Sequence, residues 1–191
     1  MERKDFLKLA ALAPLSAFAK KYSKYYKVEQ SVHVDYFKKG DVQYETLRKG
    51  FNKRIDRYPQ VIALCKNTAG VAEAVKYAVA NKLPVAIKSG GHCMEGFSVN
   101  DSGMVINLSL LDSVKWLDKE TVAVDPGCKL ARLYHELLPK GRVIPSGSCA
   151  TVAVGGLVLG GGYGLLARKF GLTCDSLLEV TMVDGNGNII S

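Results

Sequence analysis

The stretch VIPSGSCATVAVGGLVLGGGYGLLARKFG, residues 143–171, decides how the rest of the chain is read. Gly155, Gly156, Gly160, Gly161, Gly162 and Gly164 fall within ten positions among small and β-branched residues, and Cys149 precedes them in a turn. Glycine loses more conformational freedom on folding than any other residue. Glycines this dense imply a use that only glycine allows: a positive φ, or backbone brought against a ligand. A ligand lying along the main chain is the simplest such use.

A shorter glycine turn lies upstream, KSGGHC at residues 88–93, in which Gly90 and Gly91 precede His92. It ends the segment VAIKS, residues 85–89, which reads as a strand. Earlier, VIALC at residues 61–65 reads as another strand. Behind it Val71, Ala74, Val75, Ala78 and Val79 recur at helical spacing, with Asn67 or Thr68 as the cap. The unit is β-α-β with parallel strands, and it delivers the turn at a strand's carboxyl end, where α/β folds bind ligands. Successive backbone N–H groups in such a turn can cradle a phosphate, with the Ser89 hydroxyl as an added donor. No Gly-Lys-Ser/Thr follows, so this is not a P-loop, and the spacing is not that of the Rossmann fingerprint.

Around these turns the elements alternate. Asp41 is placed to cap a short helix carrying Leu47 and Phe51 on one face. Residues 104–109, 113–118 and 121–127 read as three strands. A second helix sets Leu130, Leu133, Tyr134, Leu137 and Leu138 on one face, with His135 off it. Residues 177–183, LLEVTMV, read as a near-continuous buried strand. Asp184-Gly185-Asn186-Gly187 then signals a hairpin into a return strand.

The 191 residues suffice for one domain with a substantial core. The net charge of +8 is concentrated early, in Arg3, Lys4 and Lys8 and in Lys20, Lys21, Lys24 and Lys27. No basic stripe interleaved with aromatics follows, which sets nucleic acid aside as a partner. Cys65, Cys93, Cys128, Cys149 and Cys174 form no CxxC pair, which speaks against a metal centre and a disulfide framework; Cys65 reads as a small buried residue. Residues 1–19 combine a charged start, a short apolar run and Ala17-Phe18-Ala19, the pattern of a removable export signal and not of a membrane span. Arg3-Lys4-Asp5-Phe6-Leu7-Lys8 is close to the twin-arginine pattern, with Lys4 in place of the second arginine, so that route and Sec export both stay open. The expected location is periplasmic or secreted, and residues 20–40 are expected to be a basic linker.

KSGGHCMEGFS at residues 88–98, the run GSCATVAVGGLVLGGGYGLLARKFGLTCDSL at residues 147–177 and the β-α-β order resemble one known family. It is the berberine-bridge-enzyme-like FAD-linked oxidases, in the vanillyl-alcohol oxidase and p-cresol methylhydroxylase (PCMH) superfamily. The resemblance spans residues 41–191 and implies a partial PCMH-type FAD-binding domain. Its fold would be α+β, with mixed parallel and antiparallel sheets and flanking helices, truncated at the C-terminus relative to the family.

The resemblance also implies FAD as cofactor, an 8α-histidyl bond from His92 and a 6-S-cysteinyl bond from Cys149, with Gly147 and Thr151 flanking the cysteine. By the same resemblance Ser89, Gly90, Gly91 and Cys93 lie in the first turn at the cofactor. Gly155, Gly156, Gly161, Gly162, Tyr163 and Gly164 run along it, and Asp175 lies near it. Departures from the family are Leu157, where many plant members carry histidine, Cys93 in place of serine, and Lys88 in place of arginine. The implied substrate is a small molecule, a sugar, alcohol or amine, and the implied electron acceptor is dioxygen or another oxidant. A further substrate domain or partner chain would complete the site, and no residue of this chain is assigned as catalytic base. A non-catalytic flavin-binding module or a truncated gene product is the alternative reading.

Overall fold

The computed structural model describes residues 31–191. The expected export signal, and residues 20–30 of the expected linker, lie outside the described residues. Four strands form the central sheet: β1 (Val34–Phe37), β2 (Val61–Cys65), β3 (Val85–Lys88) and β4 (Met104–Asn107), in the spatial order β1-β2-β4-β3. β1 is antiparallel to β2, whereas β2, β4 and β3 run parallel. Every residue of β2 and β4 is buried, as inner strands of a sheet covered on both faces must be.

One face of the sheet packs Phe37, Ile62, Leu64, Ala86 and Val105 around Tyr44 of α1 (Tyr44–Arg48). The other packs Val34, Val61, Ala63, Met104 and Ile106 against Ala74 and Ala78 of α2 (Thr68–Ala80). Asn67 caps α2, its Oδ1 accepting the Gly70 N–H at 2.9 Å. The buried stripe of α2 is Gly70, Ala72, Ala74 and Ala78. Val79, expected on that face, is 61 % exposed. Small residues let the helix lie close to the sheet: a Cβ on Gly70 would sit 2.1 Å from the His33 carbonyl oxygen.

The β-α-β reading holds with one refinement: β2 and β3 are parallel, but β4 is inserted between them. Parallel neighbours need a crossover of a dozen or more residues. Between β3 and β4 that crossover is residues 89–103, which contain no helix and carry the Gly90-Gly91-His92 turn. An antiparallel hairpin follows, β5 (Val114–Trp116) with β6 (Val122–Val124). Against it α3 (Leu130–Leu137) buries Leu130, Leu133 and Leu137, together with Cys128. Leu138 is exposed because the helix tightens there into a 3₁₀ turn, and His135 faces solvent. The chain ends through α4 (Val154–Leu159), α5 (Ala167–Phe170) and a hairpin of β7 (Met182–Val183) with β8 (Ile189–Ile190). The architecture is α+β with a mixed sheet.

Three further expectations give way. Val34–Phe37, inside the stretch expected to be linker, is β1. Its Val34, Tyr36 and Phe37 are buried, a short apolar set that the surrounding lysines obscure. Asp41 does not cap α1. Its Oδ2 accepts the Lys38 N–H at 2.6 Å and closes the preceding turn, while Gln43 is the cap residue and Phe51 lies beyond the helix. The buried strand expected at residues 177–183 is reduced to β7, and Leu178 is 81 % exposed. A strand needs ladder partners, and β8 reaches only Met182 and Val183. The hairpin turn forms as expected: Asp184 Oδ1 accepts the Asn186 and Asn188 N–H groups at 2.8 Å, and Gly187 takes φ +77°.

Candidate functional site

Two turns from distant parts of the chain meet at one hydroxyl. His92 Nε2 lies 2.9 Å from Thr151 Oγ1, and Cys149 Sγ lies 3.7 Å from the same oxygen.

The first turn is seated on the second. The Ser89 hydroxyl donates to the Pro126 carbonyl, which also accepts the Gly155 N–H at 2.9 Å. That proton, expected to serve a phosphate, is therefore engaged within the protein. A Cβ on Gly90 would lie 2.7 Å from the Ala153 nitrogen, so contact between the turns requires glycine there. Gly91 takes φ +70°, and its carbonyl accepts the Phe51 N–H at 2.8 Å. Phe51 is thereby brought over the His92 imidazole, ring centroids 4.3 Å apart at 19°, a stack that fixes the ring plane. Behind the turn Lys88 is buried, and its Nζ donates to the carbonyls of Leu47 and Lys49 at 2.6 and 2.5 Å. Burial, with the Lys53 charge adding to it, lowers its pKa to about 8.

The second turn is held by the start of α3. The first N–H groups of a helix have no partner within it. Here those of Leu130 and Ala131 donate to the carbonyls of Val152 and Ala150, at 2.9 and 3.1 Å. The Tyr134 hydroxyl donates to the Gly147 carbonyl at 2.8 Å. Cys149 is exposed at the top of this turn. Hydrogen bonding from the Thr151 hydroxyl, then from the Thr151 and Val152 N–H groups, lowers its thiol pKa. Burial acts the opposite way elsewhere, pushing Cys65 up to about 12 and raising Cys128. The thiolate is the nucleophile of cysteine chemistry, so of Cys65, Cys128 and Cys149 it is Cys149 whose surroundings favour it. Cys93 is engaged locally, its sulfur 3.5 Å from a Glu95 carboxylate oxygen and 3.4 Å from the Phe97 nitrogen.

The glycines of the long run divide by what faces them. Cβ atoms on Gly155, Gly162 and Gly164 would lie 2.8 Å from Pro126, 2.1 Å from Thr173 and 1.8 Å from Ser146 respectively, so these three serve contacts within the protein. Gly161 and Gly162 also take φ +91° and +79°. Gly156 alone of the glycines expected along the cofactor has no atom within 4 Å of its Cβ position. Tyr163 is exposed, and the Asp175 carboxylate accepts the Leu172 N–H at 2.7 Å to close a 3₁₀ turn.

Two neighbours of the site escaped the sequence reading. Phe51 stands 41 positions before its partner His92, and no local pattern links them. Ser146 is buried with its Oγ lacking a hydrogen-bond partner among the described residues; its position in PSGSC carried a signal that went unused. A separate apolar cleft of about 320 Å³ between α2, β3 and the last hairpin shares no residue with either turn.

The fold is thus a mixed sheet whose crossover presents a glycine-histidine turn to a glycine-cysteine turn. The FAD binding domain family matches residues 59–191, and the chain belongs to that family, among the berberine-bridge-enzyme-like FAD-linked oxidoreductases. FAD is its cofactor. The uncharacterised FAD-linked oxidoreductase YgaK of Bacillus subtilis is 38 % identical over 144 residues, 75 % of this chain and 32 % of that protein. The crystal structure of 6-hydroxy-D-nicotine oxidase from Arthrobacter nicotinovorans superposes with a TM-score of 0.80 at 30 % identity, covering 84 % of this chain and 36 % of that one. Glucooligosaccharide oxidase from Acremonium strictum, described with a 6-S-cysteinyl, 8α-N1-histidyl FAD, superposes with a TM-score of 0.77 at 31 % identity over 82 % and 34 % of the chains. The chain spans about a third of the length of these proteins.

The residues present fit the cofactor. An imidazole and an exposed thiol of lowered pKa are nucleophiles of the kind that form covalent bonds to electrophilic carbon. Gly156 leaves its surface open, and the buried Ser146 hydroxyl has hydrogen-bonding capacity to spare.

Proposed function

We propose that this chain is the cofactor-holding part of an exported oxidoreductase whose FAD is tethered twice, through His92 and Cys149. The observation that carries the proposal is the convergence of both side chains on Thr151 Oγ1. Thr151 engages Nε2 of His92, and Nδ1 has no hydrogen bond to the described residues, which leaves Nδ1 as the ring nitrogen free to bond carbon. The stack with Phe51 and the contact of Gly90 with Ala153 hold the imidazole in place, while α3 holds the cysteine turn. When bound, the flavin supplies the acceptor for a hydride from a sugar, alcohol or amine C–H and is reoxidised by dioxygen or another acceptor. 6-hydroxy-D-nicotine oxidase and glucooligosaccharide oxidase are both among the similar proteins, and a further substrate domain would supply the specificity pocket.

Acid precipitation of the full gene product tests the tethers. Wild type is expected to give a yellow pellet, with peptides containing His92 and Cys149 joined by one FAD in mass spectra. His92→Ala and Cys149→Ala should each retain the other bond, and the double variant should give a colourless pellet. A colourless pellet from folded wild-type protein sinks the proposal. Export is tested by the mature N-terminus: processing after Ala19 should leave Lys20 first in the periplasmic or secreted fraction, and an unprocessed cytoplasmic product excludes it.

A further inference from the structure

We infer that the Thr151 hydroxyl couples the two attachment side chains, so that the ionisation of Cys149 and the tautomer of His92 change together. The inference rests on the proposed attachment roles of these two residues and makes Thr151 a positioning residue that acts through both.

A hydroxyl owns one proton and two lone pairs. Thr151 Oγ1 stands between His92 Nε2 and Cys149 Sγ, at 2.9 and 3.7 Å, and cannot donate to both. When Cys149 is a thiolate, it accepts the hydroxyl proton. Oγ1 then accepts from Nε2–H, and Nδ1 is the nitrogen with the lone pair. When Cys149 is a thiol donating to Oγ1, the hydroxyl proton is released from sulfur and can turn to Nε2, which favours the ring proton on Nδ1. The first arrangement presents two nucleophiles, the thiolate and Nδ1; the second presents neither. Passing from the second to the first releases one proton to solvent, that of the thiol, and moves the ring proton from Nδ1 to Nε2.

Both ends are held for this exchange. The imidazole is stacked on Phe51, and the cysteine turn is pinned by the N–H groups of Leu130 and Ala131. The lowering of the Cys149 pKa comes first from the Thr151 hydroxyl, then from the Thr151 and Val152 N–H groups, with no charged side chain contributing. Titratable groups on the surrounding segments are engaged elsewhere. Cys93 faces Glu95, Lys88 and Lys53 donate to carbonyls of residues 47–50, Asp125 accepts from Ser113, Arg132 pairs with Asp112, and Tyr134 donates to Gly147.

Thr151→Val removes the hydroxyl at nearly constant shape, and Thr151→Ser keeps it. Thr151 is exposed, so neither variant disturbs a core, and amide spectra of the full gene product verify the fold of the chain that it produces. Two measurements on that chain, without added FAD, read the two ends: the pH profile of Cys149 alkylation by iodoacetamide, and the ring ¹⁵N shifts of His92. In Thr151→Val, alkylation at pH 7 should slow about fivefold as the thiolate loses its donor, while Thr151→Ser should follow wild type. The wild-type His92 shifts should change in step with Cys149 ionisation, and those of Thr151→Val should not. An alkylation profile of Thr151→Val superimposable on wild type, or wild-type His92 shifts indifferent to Cys149 ionisation, overturns the inference. Neither readout requires bound flavin, so a colourless acid pellet would remove the attachment reading while leaving this coupling measurable.

Discussion

Replacing Gly164 with alanine is expected to destabilise the domain by about 3 kcal/mol or more, and the same change at Gly156 by less than about 0.5 kcal/mol. A Cβ on Gly164 would lie 1.8 Å from the Ser146 carbonyl oxygen and 2.5 Å from its carbon. These are backbone atoms, so no rotamer change relieves the clash. Nor is the segment free to recede: the buried Thr173 Oγ1 lies 2.7 Å from the Pro145 carbonyl oxygen, the next one back, and 2.9 Å from that of Gly162, its one proton shared between them. Gly156 lies inside α4 with nothing within 4 Å of its Cβ position. Alanine there gains the helix propensity that glycine lacks, about 0.5–1 kcal/mol, so the variant should be neutral or slightly more stable. Urea unfolding of both variants checks this. Equal loss at both positions would mean that the run is constrained as a whole, and no loss at Gly164 would mean that the turn around Ser146 yields.

That contrast explains what was legible in the sequence. Clustered glycines announce that backbone comes close to something, but the residue is the same whether the neighbour is a ligand or another peptide group. Gly155, Gly162 and Gly164 are explained by Pro126, Thr173 and Ser146, partners that no local pattern identifies. The β-α-β order was legible because its hydrophobic periods are long enough to register; the insertion of β4 between β2 and β3 was not, because sheet order is a matter of pairing. β1 is four residues long and followed directly by Lys38 and Lys39, so its burial depends on β2 and not on its own pattern. Residues 177–181 failed the other way, an apolar run without a ladder partner among the described residues. His92 and Cys149 were found through their turns. Phe51 and the shared position of the Thr151 hydroxyl required the fold that brings residues 51, 92 and 151 together.

Lys88 carries the second large effect, one that depends on pH. Its folded-state pKa is lowered to about 8, chiefly by burial, from an ordinary value of 10.5. Between those values the unfolded chain binds a proton that the folded chain does not, so stability rises with pH across this window. Below about pH 8 the folded protein bears the whole cost of a buried ammonium, about 3 kcal/mol for a shift of this size. The neutral amine that replaces it has two N–H donors, enough to keep the hydrogen bonds to the carbonyls of Leu47 and Lys49. Lys88→Met has no such proton and leaves both carbonyls without this donor. The stability gap between wild type and Lys88→Met should therefore widen in favour of wild type by about 3 kcal/mol from pH 7 to pH 10.5. Cys65, whose thiol is pushed up to about 12, works in the opposite direction above its ordinary pKa, but it is common to both proteins and cancels in the difference. Denaturant unfolding of the pair across this range measures the gap, and a gap that stays constant would show that Lys88 titrates normally in the fold. The consequence reaches the site because Lys88 directly precedes the Ser89-Gly90-Gly91-His92 turn, and its side chain runs where a Cβ on Gly91 would lie, 2.9 Å from Cε. Amide exchange at residues 89–92 should slow, relative to Lys88→Met, as the ammonium is neutralised, which links the placement of His92 to the protonation of a residue that never touches it.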